Sequence, residues 1–313
     1  MRIVFLGTPK FAVPTLERAY DAGHEVAAVV TQPDRPKGRG HVLAAPPVKE
    51  TALRLGLAVY QPERIRTPET IELLRGMKPD AMVVVGYGKI VPQAIIDIPP
   101  HGIVNVHASL LPKYRGAAPV QWAIANGETV TGVTTMRIDA GLDTGDILLQ
   151  RETAIGPEET AVELAERLAV VGADLLVETL AALGRGGIVP RPQNSAEATL
   201  APVLKKEDGL IEWTRPAQEI VNRLRGFTPW PGCYTHVRGK ALEIARARVA
   251  SGGGTGEPGS AHPVRGRLVV TCGEGTALEI LEVQMEGRKR MDAAAFQNGY
   301  HLMENELLGE TIL

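Results

Sequence analysis

The chain has 313 residues, 44% of them hydrophobic and 22% charged, with 34 basic against 36 acidic side chains and a formal net charge of −2. That length exceeds what one core comfortably fills and points to two domains. The near-neutral balance excludes bulk charge as a sign of a nucleic-acid partner, so any RNA contact has to come from a local patch. The two cysteines, Cys233 and Cys272, exclude a disulfide framework and lack the neighbours of a zinc site, so they read as reduced structural thiols. Met1–Gly7 is too short an apolar run for a signal peptide, and no stretch approaches the ~20 apolar residues of a membrane span. A cytoplasmic protein with no membrane partner is expected.

In chain order, Arg2–Leu6 predicts a strand ended by Gly7-Thr8-Pro9, followed by a helix through Leu16–Ala22 and a second strand at Val26–Val30. Helical patterns at Pro47–Leu55, Pro68–Arg75 and Pro119–Ala125 alternate with strands at Ala81–Val85, Ile103–His107, Val130–Ile138 and Ile147–Gln150. This rhythm predicts a mostly parallel, Rossmann-like α/β sheet with helices on both faces. Glu158–Leu183 is amphipathic and rich in Ala, Leu and Glu, a helix that stops at Gly184-Arg-Gly-Gly187. The proline-rich stretch after it reads as an extended linker. A helix at Pro216–Gly226 then precedes alternating runs at Cys233–Val237, Ala241–Val249, Arg267–Thr271 and Ala277–Gln284, the pattern of a small C-terminal β-barrel. The expected division is 1–189, a linker over 190–204, and a β-barrel over 205–313.

Open parallel sheets bind ligands at the carboxyl ends of their strands. The first such turn reads Gly7-Thr-Pro-Lys-Phe-Ala12 and lacks the second and third glycines of a dinucleotide fingerprint, which argues against a nicotinamide enzyme. In Ile103-Val-Asn-Val-His107, residues two apart share a face, so Asn105 and His107 project together at the strand's end. An amide beside an imidazole either donates to a developing oxyanion or caps the strand through backbone bonds. Asp139-Ala-Gly-Leu-Asp-Thr-Gly-Asp146 offers three carboxylates that serve either as turn caps or, if one reaches His107, to orient the imidazole. Spacing does not choose among them.

Asn105-Val-His107, Ser109-Leu-Leu-Pro-Lys-Tyr-Arg-Gly116 and Asp139–Asp146 together resemble the core of the folate-dependent formyltransferases. Over the whole chain, Gly7-Thr-Pro9, Thr31–Gly40, Arg115–Gln121, Gly141–Asp146 and Phe227-Thr-Pro-Trp-Pro231 are similar to the methionyl-tRNA formyltransferase family, while Ser251–Ser260 falls outside the motifs that carry the resemblance. The resemblance implies transfer of formyl from 10-formyltetrahydrofolate to methionyl initiator tRNA, with Asn105, His107 and Asp143 as the catalytic set and no metal. It implies a folate site at Ser109, Leu110, Leu111 and Pro112, although Leu110 and Leu111 also suit a core. It further implies an OB-like, tRNA-binding C-terminal domain.

Asp34–Lys49 carries Arg35, Lys37, Arg39 and Lys49 against Asp34, a net of +3 on a proline- and glycine-rich loop. The resemblance makes those four cations the tRNA contacts, where bare composition suggests a solvated loop. Arg223, Arg225, Arg238, Lys240, Arg246 and Arg248 in the second domain offer either an RNA platform or a solvated surface. Trp213 and Trp230 are expected in a core or interface rather than as base-stacking platforms. Two rivals differ in class: a formyltransferase acting on an amino-sugar nucleotide, and a non-catalytic tRNA- or folate-binding module. No obligate protein partner is evident.

Overall fold

The computed structural model describes residues 1–37, 42–264 and 266–309, with the side chains of Lys37 and Val42 left out. Two compact units result. The first contains Met1–Pro119, Val130–Ala154 and Leu164–Ala201, and the second Val120–Thr129, Ile155–Glu163 and Pro202–Leu313.

In the first unit, β1 (Arg2–Gly7) leads to α1 (Val13–Asp21) and β2 (Glu25–Val30). A short hairpin of β3 (Arg35–Lys37) and β4 (Val42–Ala44) precedes α2 (Pro47–Arg54) and β5 (Val59–Tyr60). Next come α3 (Pro68–Gly76), β6 (Ala81–Val85), α4 (Gln93–Ile96), β7 (Ile103–His107) and β8 (Arg115–Gly116). After α5 (Pro119–Ala125), which lies in the second unit but for Pro119, the first unit continues through β9 (Val130–Arg137), β10 (Ile147–Ala154), most of α6 (Ala161–Gly184) and β11 (Leu200–Ala201). Prolines open α1, α2 and α3 at the first or second helical position, where a fixed φ suits the helix and the missing N–H is not needed.

The sheet order is β10-β9-β7-β6-β1-β2-β5, with β5 through β7 parallel and β9 and β10 antiparallel. Ile3, Val4, Phe5 and Leu6 are wholly buried, as a parallel strand covered on both faces requires. The order reverses between β1 and β6, so the crevice beyond their carboxyl ends is where ligands bind in such sheets.

The expected linker over 190–204 differs from the structure. Arg191 bridges Ile147, and Leu200–Ala201 pairs with Arg115–Gly116, so most of this stretch belongs to the first unit. Proline content signals an extended backbone, but it does not say where that backbone finds hydrogen-bond partners.

The second unit carries α7 (Ala217–Phe227), β12 (Cys233–Val237), β13 (Lys240–Val249), β14 (Ser260–Val264), β15 (Arg267–Thr271) and β16 (Ala277–Met285). β17 (Met291–Asp292), α8 (Ala293–Tyr300) and β18 (Glu306–Leu307) complete it. Its antiparallel sheet runs β12-β13-β16-β15-β14-β18 and curls into a half-barrel. A backbone bond from the Gly309 N–H to the His236 carbonyl, at 2.9 Å, joins the two edges. Leu242, Ile244, Leu268, Val270 and Ile280 from the sheet bury against Ile220, Leu224 and Phe227 of α7 and Phe296 of α8. Trp213 lies in this core, its Nε1–H donating to Thr235 Oγ1 at 3.1 Å, whereas Trp230, between two prolines after α7, is 58% exposed. Burial pushes the thiols of Cys233 and Cys272 up to about 12, consistent with inert structural cysteines.

The glycine-rich segment has a steric reason. A Cβ on Gly254 would sit 2.6 Å from the Thr276 carbonyl oxygen, so only glycine lets this backbone lie against the β15–β16 turn.

Of the six basic side chains offered as a platform, five meet acceptors of the same unit, whereas Lys240 is exposed. Arg246 pairs with Glu282, Arg248 and Arg267 both pair with Glu279, and Arg238 pairs with Glu306. Arg225 donates to the carbonyls of Gly156 and Glu159, and Arg223 to that of Asp208. The stripe of Arg246 and Arg248 is therefore neutralised across β13 and β16.

Glu279 gives this pairing a pH signature. Hydrogen bonds from Arg267 and Arg248 hold its carboxyl down at about 2, against an ordinary 4.5. A depressed carboxylate stabilises the fold above its unfolded value and loses that contribution as pH falls through its folded value. The stability gap between wild type and Glu279→Gln should be full above pH ~4.5 and shrink towards pH ~2, read from urea midpoints across that range. A gap independent of pH would mean the pairs add nothing to stability.

Candidate active site

The carboxyl end of β7 carries the candidate side chains Asn105 and His107. Along this strand every residue is buried except Asn105, which is half-buried. β7 pairs with β9 so that Asn105 lies opposite Met136 and His107 opposite Thr134. The side-chain amide of Asn105 has no hydrogen-bond partner among the described residues. His107, 6% exposed, uses Nε2 to donate to the Tyr114 carbonyl at 2.9 Å. A carbonyl only accepts, so Nε2 carries a proton and Nδ1 is the nitrogen left for chemistry. Nδ1 faces the Asp143 carboxylate, 3.6 Å from Oδ2. That distance is just beyond a hydrogen bond and leaves Nδ1 open to a third group.

The loop after β9 separates its three carboxylates by role. Asp139 is a cap: it accepts from the Gly141 N–H at 3.0 Å and from Thr144 Oγ1 at 2.7 Å. The backbone carbonyl of Asp146 takes the Arg137 N–H at 2.9 Å, which starts the return strand. Only Asp143 meets His107, and its Oδ2 is held at 2.9 Å by the Gly116 N–H. Asp143 adopts φ +51°, a left-handed backbone that turns its side chain inward, where it is 16% exposed.

The turn after His107 is fixed to the sheet. Thr134 Oγ1 donates to the Ser109 carbonyl at 2.7 Å and accepts the Leu111 N–H at 3.1 Å, while Ser109 Oγ donates to the Lys113 carbonyl at 2.6 Å. Ser109 and Leu111 are buried, Leu111 packing with Met136 and Ile147, whereas Leu110 and Pro112 are half-buried. Of the four residues expected at folate, two therefore serve the scaffold with their side chains.

The expected tRNA contacts divide as well. Arg35 is exposed, while the side chain of Lys37 and the whole of Arg39 lie outside the described residues. Lys49 is not a free cation: its Nζ donates to both oxygens of Asp34, at 2.9 and 2.8 Å, and Gln61 Nε2 joins the same carboxylate at 2.7 Å. These bonds pull the Asp34 carboxyl below its ordinary range. A count of charges cannot show such pairing, which ties Lys49 to Asp34 at the base of the loop.

Sequence reasoning missed Tyr114 and Gln193, which bond to His107 and to the Asp143 backbone, and Arg115, which bonds to Gln193. Only the run Lys113-Tyr-Arg-Gly116 hinted at the first two. Among the described residues no group of three or more His, Cys, Asp or Glu side chains could hold a metal, and no helix is long and apolar enough to cross a membrane.

Known proteins resemble this chain in sequence and in fold. The formyl transferase family matches residues 1–180, and the formyl transferase C-terminal domain matches residues 203–301. The chain is 64% identical over 310 residues to the methionyl-tRNA formyltransferase of Solibacter usitatus and 61% identical over 310 residues to that of Koribacter versatilis, covering 99% of both partners in each case. Among solved structures it is similar in fold to the N-formyltransferase of Helicobacter canadensis crystallised with folinic acid and dTDP-3-aminofucose. That likeness has a TM-score of 0.67 at 18% identity, over 90% of this chain and 98% of the other. Glycinamide ribonucleotide transformylase 1 of Symbiobacterium toebii gives a TM-score of 0.52 at 22% identity, over 62% of this chain and 94% of the other. Full-length identity above half with its relatives, and a family match over both parts of the sequence, make this chain a member of the formyl transferase family, in its methionyl-tRNA formyltransferase branch.

Proposed function

We propose that the protein transfers the formyl group of 10-formyltetrahydrofolate to the free α-amino group of methionyl initiator tRNA, in the cytoplasm. The observation that carries this reading is an Asn105 amide that bonds to no described residue, on the same strand face as His107, whose Nδ1 is backed by Asp143. The neutral amine attacks the formyl carbon, a new C–N bond forms, and negative charge gathers on the formyl oxygen. The Asn105 amide and Nδ1–H of the His107 imidazolium donate to that oxygen, the preorganised stabilisation acyl transfer needs. Asp143 takes the proton lost by the amine, directly or through a water, and passes it to N10 as the C–N10 bond breaks. Tetrahydrofolate and the formylated aminoacyl-tRNA leave, with every bond and proton accounted for.

The half-buried Leu110 and Pro112 suit the apolar wall of a pterin site, with the buried Ser109 and Leu111 holding the turn in shape. For the tRNA, Arg35, Lys37 and Arg39 are the phosphate contacts, and Lys49 secures the base of their loop through Asp34. An amino-sugar nucleotide would use the same three catalytic side chains, but full-length identity to methionyl-tRNA formyltransferases favours the tRNA acceptor. A binding module without catalysis has no use for an imidazole placed between an amide and a carboxylate.

Labelled formyl from 10-formyltetrahydrofolate should appear on methionyl initiator tRNA, and not on methionyl elongator tRNA or an amino-sugar nucleotide offered in parallel. Label on the sugar nucleotide would move the acceptor assignment. Label on none of the three would return the binding module as the better reading.

A further inference from the structure

We propose that Gln193 is a positioning residue for Asp143: its amide holds the loop that presents the carboxylate, and Arg115 in turn holds the amide. The proposal rests on the reading of Asp143 as the proton relay.

The four hydrogen bonds of this amide are all made. Both Nε2 protons are used, one on the Asp143 carbonyl at 2.9 Å and one on the Gly145 carbonyl at 2.7 Å. Oε1 accepts from Nε and Nη2 of Arg115, at 3.0 and 2.7 Å. The orientation is unambiguous, because a carbonyl only accepts and a guanidinium only donates. Arg115 is 7% exposed, so Gln193 also satisfies a buried cation.

The loop needs such a clamp. Asp143 holds a left-handed backbone at φ +51°, which a residue with a Cβ disfavours and leaves when nothing holds it. Gln193 grips the chain on both sides of Thr144, immediately beside that residue. The other grip on Asp143 comes from Gly116, whose N–H holds the carboxylate itself at 2.9 Å. Arg115 and Gly116 form one two-residue strand, paired with Leu200–Ala201 of the same proline-rich stretch that carries Gln193. β8 therefore fixes the backbone of Asp143 through Arg115 and Gln193, and its side chain through Gly116.

Removing the amide should let the carboxylate wander from His107 without touching either substrate. In the full-length protein, Gln193→Met should lower kcat about 10–100-fold, since displacement of a reacting group by an ångström costs on that order. KM for both substrates should stay within about threefold, as no binding contact is lost. In an Asp143→Asn background the same substitution should cost less than about twofold, because a residue acting only through Asp143 has nothing left to position. Equal losses in the two backgrounds would mean general damage and overturn the proposal, as would a Gln193→Met enzyme within twofold of wild type. If Gln193→Met does not fold, Gln193→Glu decides: it keeps the Arg115 pair but sets an oxygen against two carbonyls, and should show the same loss of kcat and the same insensitivity beside Asp143→Asn. Asp143→Asn retaining full activity would instead sink the relay on which the proposal stands, whereas a slow Asp143→Asn with a fast Gln193→Met would sink the proposal alone.

Discussion

Replacement of His107 by alanine is expected to lower kcat by about 10²–10⁴-fold, the usual weight of a positioned proton donor in the transition state. Nε2 is committed to the Tyr114 carbonyl, so one nitrogen fixes the ring plane while Nδ1 points at Asp143 from 3.6 Å. A ring with both nitrogens bonded at full strength would be a structural histidine. Here one site stays open on the face shared with Asn105. The alanine variant also removes the bond from the ring to the Tyr114 carbonyl, at a cost of about 1 kcal/mol in stability. Single-turnover transfer and urea unfolding should therefore be read together. A rate loss below tenfold in a folded variant would remove His107 from the chemistry and favour a binding protein.

The pairing of Asn105 with His107 was legible from sequence because a strand has a strict two-residue period, and Ile103–His107 is a strand within its expected bounds. The choice among Asp139, Asp143 and Asp146 was not legible from spacing. It depends on a left-handed residue and on an N–H donated by Gly116, 27 positions away in sequence. Gln193 was hidden for a related reason. It sits between prolines whose composition suggests a tether, while its function lies in four long-range hydrogen bonds. Charge was the least legible property. Lys49, Arg246 and Arg248 read as available cations until Asp34, Glu282 and Glu279 are seen against them.

In the second unit β14 and α8 are absent from the expected pattern, because local signals conflict there. β14 contains Pro263, which breaks the alternation expected of a strand, yet the strand pairs with β15 on one side and β18 on the other. Helix α8 begins at a clear cap, Asp292 accepting the Ala295 N–H at 2.7 Å, but its small, alanine-rich sequence gives little periodic pattern.

Asn105 offers the sharper test of oxyanion stabilisation, because rate and stability should part company there. Its amide bonds to no described residue and its side chain is half-buried, so Asn105→Ala breaks no hydrogen bond among the described residues. Stability should change by less than about 1 kcal/mol, as for substitutions that touch no buried network. The rate should nonetheless fall by about 10²–10³-fold, the cost of removing one oxyanion donor, with KM for the folate little altered. Asn105→Asp extends the argument. It keeps the shape but sets an acceptor and a negative charge where charge develops, so it should be slower than alanine at neutral pH. An Asn105→Ala enzyme that is slow only in proportion to lost stability would make the amide a scaffold. An Asn105→Asp enzyme as fast as wild type would mean that the formyl oxygen lies elsewhere, and that the imidazole works alone.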